Sequence, residues 1–289
     1  MKKVFFITTA HLSEGLWFRD DEDFKVGMNF VAIQAWRSGV VILAFVLMSN
    51  HLHFVLIGTE ESVRNFICGL KGRYSLYLRK KYGYKEFLRR NDVDIREIDL
   101  EDEALERAIA YVQMNPVAAN ICLHPTQYRW GTGNAFFNGE RTDGVPVGKY
   151  SVRALEKLLH SNSTNLPANY IIGAKQYVLP ESYVDVAGVE KLFRTPSRMN
   201  YFLTNSAKAR RRLEKMDNNL PAFRDQVITN AIPDLISNMF KKRSQAELNE
   251  RELIEFLRQL MFRFCADVHQ ISRITGLSYE EIARLLDKA

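Results

Sequence analysis

The sequence predicts an α+β fold: a small antiparallel sheet with helices on one face, followed by an all-α C-terminal region. Three observations carry this. Short β-rich apolar runs alternate with helix-periodic segments in the N-terminal part. Two of those runs, Val40–Leu47 and His51–Ile57, are separated only by the turn-forming Met48-Ser49-Asn50, as a hairpin requires. Beyond Lys149 the apolar spacing is helical alone.

Taken in order, Lys3–Ala10 is β-rich and weakly alternating, a first strand. The acidic run Asp20-Asp21-Glu22-Asp23 suits a helix N-terminus, where the dipole favours negative charge. A helix then fits Phe24–Trp36, with Val26, Phe30, Ile33 and Ala35 apolar and no breaker before Gly39. The hairpin follows. Ser62–Tyr82 reads as a long helix with Val63, Phe66, Ile67, Leu70, Tyr74 and Tyr77 at three- and four-residue spacing. Val93–Ile98 alternates as a fourth strand, and Glu101–Asn115 has a helical stripe at Leu105, Ala108, Ile109 and Val112. This order fits a ferredoxin-like sandwich.

Residues 1–135 are thus expected as a sheet domain, and 136–150 as a linker, because Gly131–Gly148 is rich in Gly, Asn, Thr and Asp. Residues 151–289 are expected as a helical region, with helices at Val152–Leu159, Phe223–Met239 and Gln245–Phe264. Its last stretch has a short amphipathic helix, Gln270–Thr275, then a Gly276-Leu277 turn. Ser278 and Glu281 form a capping box opening a further helix. That pattern resembles a helix-turn-helix, although Glu280 and Glu281 would repel phosphate.

A net charge of +6 favours a polyanionic partner without specifying one. The longest apolar run, Val40–Met48, is too short to span a bilayer, so no membrane association is expected. The opening M-K-K-V-F-F-I-T-T-A-H reads as a strand, not a signal peptide. Cys68, Cys122 and Cys265 are few and far apart, which points to a reduced, cytoplasmic setting without a disulfide framework.

The chemistry concentrates in two stretches. In M-S-N-H-L-H-F-V-L, His51 and His53 are two apart, so a strand presents both imidazoles on one face. A lone His-x-His is more often structural than metal-binding. In Y-V-Q-M-N-P-V, Tyr111 and Asn115 lie one helical turn apart, on the flank of the apolar stripe. Asn115 precedes Pro116 and is expected to end the helix with its amide oxygen available. Two imidazoles and an amide oxygen suit Mg2+ or Mn2+ sharing a phosphate oxygen, and also accept Zn2+ or Ni2+. A tyrosine beside such a Lewis acid is a candidate nucleophile for a phosphodiester.

The combination of S-N-H-L-H within apolar strands, a basic helix, Y-x-x-x-N-P-V-x-A and H-P-x-x-Y-x-W resembles the HUH single-tyrosine transposases of insertion sequences. It is most similar to the REP-associated tyrosine transposases, as are F-R-D-D-E-D-F at Phe18–Phe24 and Tyr128-Arg129-Trp130. The resemblance implies the HUH nuclease fold over residues 1–135. It also implies transposition by cleavage and rejoining of single-stranded or hairpin DNA through a 5′-phosphotyrosine. His51 and His53 match the metal histidines, Tyr111 the nucleophile and Asn115 the third, polar ligand. The chain departs from the family's pattern at Gly83–Arg89 and at Ala118-Ala119, which bears on DNA contacts.

Lys71, Arg73, Tyr74, Tyr77, Arg79, Lys80, Lys81, Arg89 and Arg90 are candidates for binding single-stranded DNA by base stacking and phosphate contacts. The C-terminal region, with basic runs at Lys208–Arg212 and Lys241–Arg243, is a candidate for duplex DNA. Relatives include monomers and homodimers. Two alternatives remain: a domesticated nuclease that nicks hairpins, and a non-catalytic DNA-binding regulator.

Overall fold

The computed structural model describes residues 2–9, 16–83, 88, 92–119, 121–139, 143–162, 164–216, 225–264, 266 and 268–287. Four strands, β1 (Lys3–Thr9), β2 (Val41–Leu47), β3 (Leu52–Gly58) and β4 (Val93–Glu97), form one antiparallel sheet in the order β2-β3-β1-β4. Helix α1 (Asp21–Ser38) connects β1 to β2, and α2 (Glu60–Tyr82) connects β3 to β4. Neither connected pair is adjacent, because each admits a strand of the other unit between its members. Helix α3 (Ala104–Ala118) follows β4.

Local chemistry sets the helix ends. The Asp20 side chain caps α1 by accepting from the Asp23 backbone N–H at 2.8 Å, and three acids occupy the first turn. Gly39, at φ +66°, ends α1 in a left-handed conformation that a side chain would strain. Thr59 and Ser62 form a reciprocal capping box at the start of α2.

The helices do not share one face, contrary to the sequence expectation. The register places Ile7, Phe45 and Phe54 on one face and Thr8, Val46 and His53 on the other. Phe66 of α2 packs on Phe54 with ring centroids 5.1 Å apart, and α1 packs on α2. Tyr111 of α3 instead meets Phe6 and His53 on the opposite face. The physical reason is visible in β2, which is apolar at every position and has six of its seven residues buried. Such a strand must be covered on both sides.

The β2 edge of the sheet is covered as well. Val46 bridges to Gly131, Ile42 to Val184, and the Asp185 N–H donates to the Ile42 carbonyl at 2.9 Å. After α3 come β5 (Gly144–Pro146), α4 (Val152–Leu159), β6 (Ile171–Gly173), α5 (Val186–Phe193) and α6 (Pro196–Met216), with β5 paired to β6. One cluster of buried apolar side chains runs from Val4 through Phe136 and Val147 to Leu203, and α6 packs on α3.

A second cluster is built by α7 (Asp225–Phe240), α8 (Glu250–Phe264), α9 (Val268–Thr275) and α10 (Tyr279–Asp287), joined by Leu16 from the N-terminal part. Gly276, at φ +74°, turns the chain between α9 and α10, and Ser278 Oγ caps α10 by accepting from the Glu281 N–H. Among the described residues no helix is long and apolar enough to cross a membrane.

Candidate functional site

The β2–β3 turn sets the first half of the site. The Met48 N–H donates to the His51 carbonyl at 3.0 Å, and the Leu52 N–H donates to Thr9 Oγ1 at 2.9 Å. These bonds fix where β3 begins. His51 and His53 are both buried, and their ring centroids lie 4.7 Å apart. His53 also stacks on Phe6 at 5.7 Å. Asn50, fully buried, places its Oδ1 2.7 Å from His51 Nδ1. An amide oxygen only accepts, so the proton of a neutral His51 ring sits on Nδ1 and the lone pair on Nε2. Sequence reading treated Asn50 as turn chemistry alone. Its position one residue before His51 was the available signal.

The second half of the site comes from α3. The Tyr111 ring stands edge-on to His53 at 5.5 Å and to Phe6 at 5.7 Å, and it is only half-buried. The helix does not end at Asn115 as expected but continues through Pro116 to Ala118. Proline has no N–H to give the Val112 carbonyl one turn back. Asn115 Nδ2 substitutes, donating to the Tyr111 carbonyl at 2.8 Å and the Val112 carbonyl at 3.4 Å. The nitrogen end of this buried amide is therefore engaged by the helix, and Oδ1 is the end able to act as a ligand.

By chemical type, two imidazoles, one with its lone pair on Nε2, and an amide oxygen are donors that a divalent ion of borderline or hard character takes. Among the described residues no group of three or more His, Cys, Asp or Glu could hold a metal.

No family model and no curated protein matches the chain. A solved structure is similar: a REP-associated tyrosine transposase bound to a REP hairpin. The match covers 46% of this chain and 78% of that one, at 12% identity and a TM-score of 0.34.

The candidate DNA-binding residues of α2 separate into four groups, all on the helix that covers the sheet face away from Tyr111. Tyr74 and Tyr77 are 1% and 8% exposed and pack in the aromatic core with Trp17, Phe18 and Phe30. Tyr74 thus presents no face to a base, and Tyr77 shows only a small part of its side chain in the groove lined by Arg73 and Lys80. Lys81 is tied to Asp20 and Asp23, both at 2.7 Å. Lys71 and Arg79 line one groove with Arg64, Val93 and Ile95, where burial pushes the Lys71 ammonium below its usual pKa. Arg73 and Lys80 line another with Lys157 and His160, and Arg73 donates to Ser161 Oγ at 3.0 Å. Arg89 and Arg90 lie outside the described residues, as do the side chains of the 208–212 basic run.

Proposed function

We propose that the chain is a metal-dependent single-tyrosine DNA strand transferase with the HUH nuclease fold, acting as a transposase. The observation that carries this is the meeting of Tyr111 on α3 with the His51–His53 pair at the start of β3. The paired motifs S-N-H-L-H and Y-x-x-x-N-P-V, in that order, give independent support.

In the proposed cycle Tyr111 Oη attacks a backbone phosphorus and the P–O3′ bond breaks. The 5′-phosphate is left on Tyr111, and the phenol proton ends on the departing 3′-oxygen. Rejoining is the reverse: a 3′-hydroxyl attacks the phosphotyrosine and its proton returns to Tyr111. A protonated phenol is a weak nucleophile, so the first step calls for assistance. His51, His53 and Asn115 would hold Mg2+ or Mn2+, which supplies Lewis acidity at a phosphate oxygen and favours the phenolate. Asn50 orients His51 through Nδ1, and Phe6 supports both other rings, stacking on His53 and meeting Tyr111 edge-on. Burial of the two histidines excludes bulk water, while the half-buried phenol stays within reach of DNA.

The substrate class is single-stranded or hairpin DNA. The α9–α10 pair is a candidate helix-turn-helix for duplex DNA, with the described basic run Lys241–Arg243 as backbone contacts.

Covalent capture tests this. Labelled single-stranded hairpin oligonucleotides with Mn2+ or Mg2+ should give a denaturation-resistant adduct, lost in Tyr111→Phe and in His51→Ala. Tight hairpin binding with no adduct across a broad set of DNAs would favour the non-catalytic regulator instead.

A further inference from the structure

A groove of about 1010 Å³ runs between the sheet domain and the C-terminal helices. Its sheet-side wall is the segment after α3. Tyr128 Oη donates to the Leu47 carbonyl at 2.6 Å, and the Leu47 N–H donates to the Trp130 carbonyl at 2.8 Å. The wall is thereby stitched to the edge of β2. On it, the exposed Arg129 guanidinium lies 4.5 Å over the Trp130 ring and pairs with Asp21.

The opposite wall is α8 with the end of α10. It too is held in place. Leu16 is buried in the C-terminal core, and Arg263 of α8 is 2% exposed, lining a small cavity with Asp20 and Tyr82. Arg258 of α8 and Lys175 add exposed cations. Against Arg129, Lys175 and Arg258 stand the carboxylates of Asp21, engaged with Arg129, and Glu255, which accepts from Gln259 at 2.7 Å.

We infer that this groove seats the DNA strand leaving the Tyr111 site, so that the C-terminal helices supply half of a composite nucleic-acid surface. It rests on the strand-transfer reading above. The link is α3: Val117 lines the groove, about 9 Å along the helix axis and about 120° around it from Tyr111, so the strand would pass round the end of α3. Cations on both walls suit phosphates, and the apolar floor suits base faces.

The test uses the full chain with Lys175→Gln and Arg258→Gln together. Binding of a hairpin with a single-stranded extension is followed by fluorescence anisotropy from low to high salt. Removing a cation that neutralises one phosphate lowers the slope of log K against log salt by about 0.7, so a drop of about 1.4 and roughly tenfold weaker binding at moderate salt are expected. A control removes Lys149 and Lys191, which are exposed but outside the groove lining. An unchanged slope in the groove variant, or an equal drop in the control, overturns the inference; the former would hand the groove to a protein segment. Adduct formation by wild type and variant with an unchanged slope leaves strand transfer standing and removes the groove. A lowered slope with no adduct in any protein keeps the groove and removes strand transfer.

Discussion

Two sets of tyrosines lie on opposite faces of one sheet and differ in what surrounds the phenol. On the α3 face, Tyr111 is half-buried against the imidazole of His53 and the ring of Phe6. On the α1–α2 face, Tyr74, Tyr77 and Tyr82 gather around Asp23, whose side chain is fully buried. Tyr77 Oη donates to Asp23 Oδ1 at 2.8 Å and Tyr82 Oη to Oδ2 at 2.9 Å, while Lys81 Nζ reaches Oδ1 at 2.7 Å. Burial first, and then the charge of Asp23, push all three phenols well above their ordinary pKa. Burial likewise raises the Asp23 carboxyl, with the neighbouring Asp20 adding to the effect. Tyr77 and Tyr82 are permanent donors to this buried carboxyl group, while Tyr74 Oη donates to the Asp23 backbone carbonyl at 3.4 Å. A phenol beside a carboxylate is held in its protonated form, which sets the α2 tyrosines apart from the nucleophile proposed for Tyr111.

The sharpest way to break this contrast is to remove each phenol in turn. Tyr111→Phe should lower covalent adduct on the order of 1000-fold or more, with hairpin affinity retained. Tyr77→Phe and Tyr82→Phe should keep the adduct, and its loss in either would erase the distinction. Next in size, Asp23→Ala leaves the Tyr77 and Tyr82 phenols without their carboxylate and Lys81 with Asp20 alone, and should cost on the order of 3 kcal/mol of stability, read by urea unfolding. A loss below 1 kcal/mol would mean that the cluster is not structural. Asn50→Ala should weaken Mn2+ binding about 10- to 100-fold through the freed His51 ring, measured by titration calorimetry with the unfolding midpoint checked in parallel.

The smallest effect concerns Asp20. Burial alone would raise its carboxyl, but the Lys81 ammonium and the Asp23 N–H outweigh this and hold it below the ordinary 3.8. A lowered folded pKa means stability present above pH 3.8 and lost as pH falls through the folded value. Asp20→Asn keeps the helix cap and removes the charge. It should cost about 1 kcal/mol near neutrality, and the difference from wild type should vanish in acid. Asp23, raised instead, contributes with the opposite slope. A constant difference across pH would show that the Lys81–Asp20 pair carries no net stability.

Much of the architecture was legible. The four strands of the main sheet, helices α1 to α4, α7 and the last two helices lie within a few residues of where periodicity places them, α8 starts at Glu250 and not Gln245, and α5 and the 21-residue α6 were not placed at all. The ribbon of β5 and β6 was not legible, because strands of three residues are too short to show a period. The adjacency of the two histidines could be read because same-strand spacing is local. Burial of Tyr74 and Tyr77 was also present in the sequence, since both fall on the apolar stripe of α2, but their basic neighbours suggested a surface role. The N–H lost at Pro116 was foreseeable, whereas its replacement by the Asn115 side chain was not, because that depends on a rotamer.

By itself the sequence determined what local periodicity and spacing control: which segments form most of the strands and helices, that the His51 and His53 rings are neighbours, and that Tyr111 and Asn115 lie one turn apart on one helix. Only the tertiary structure decided which face of the sheet each helix covers. That choice joins Tyr111 to the histidines, sends the α2 tyrosines into the core and brings Arg258 of α8 to the same groove as Arg129. A helix stripe carries no label for the surface it will meet when both sheet faces are apolar. The pairing is settled by the packing of all the elements at once.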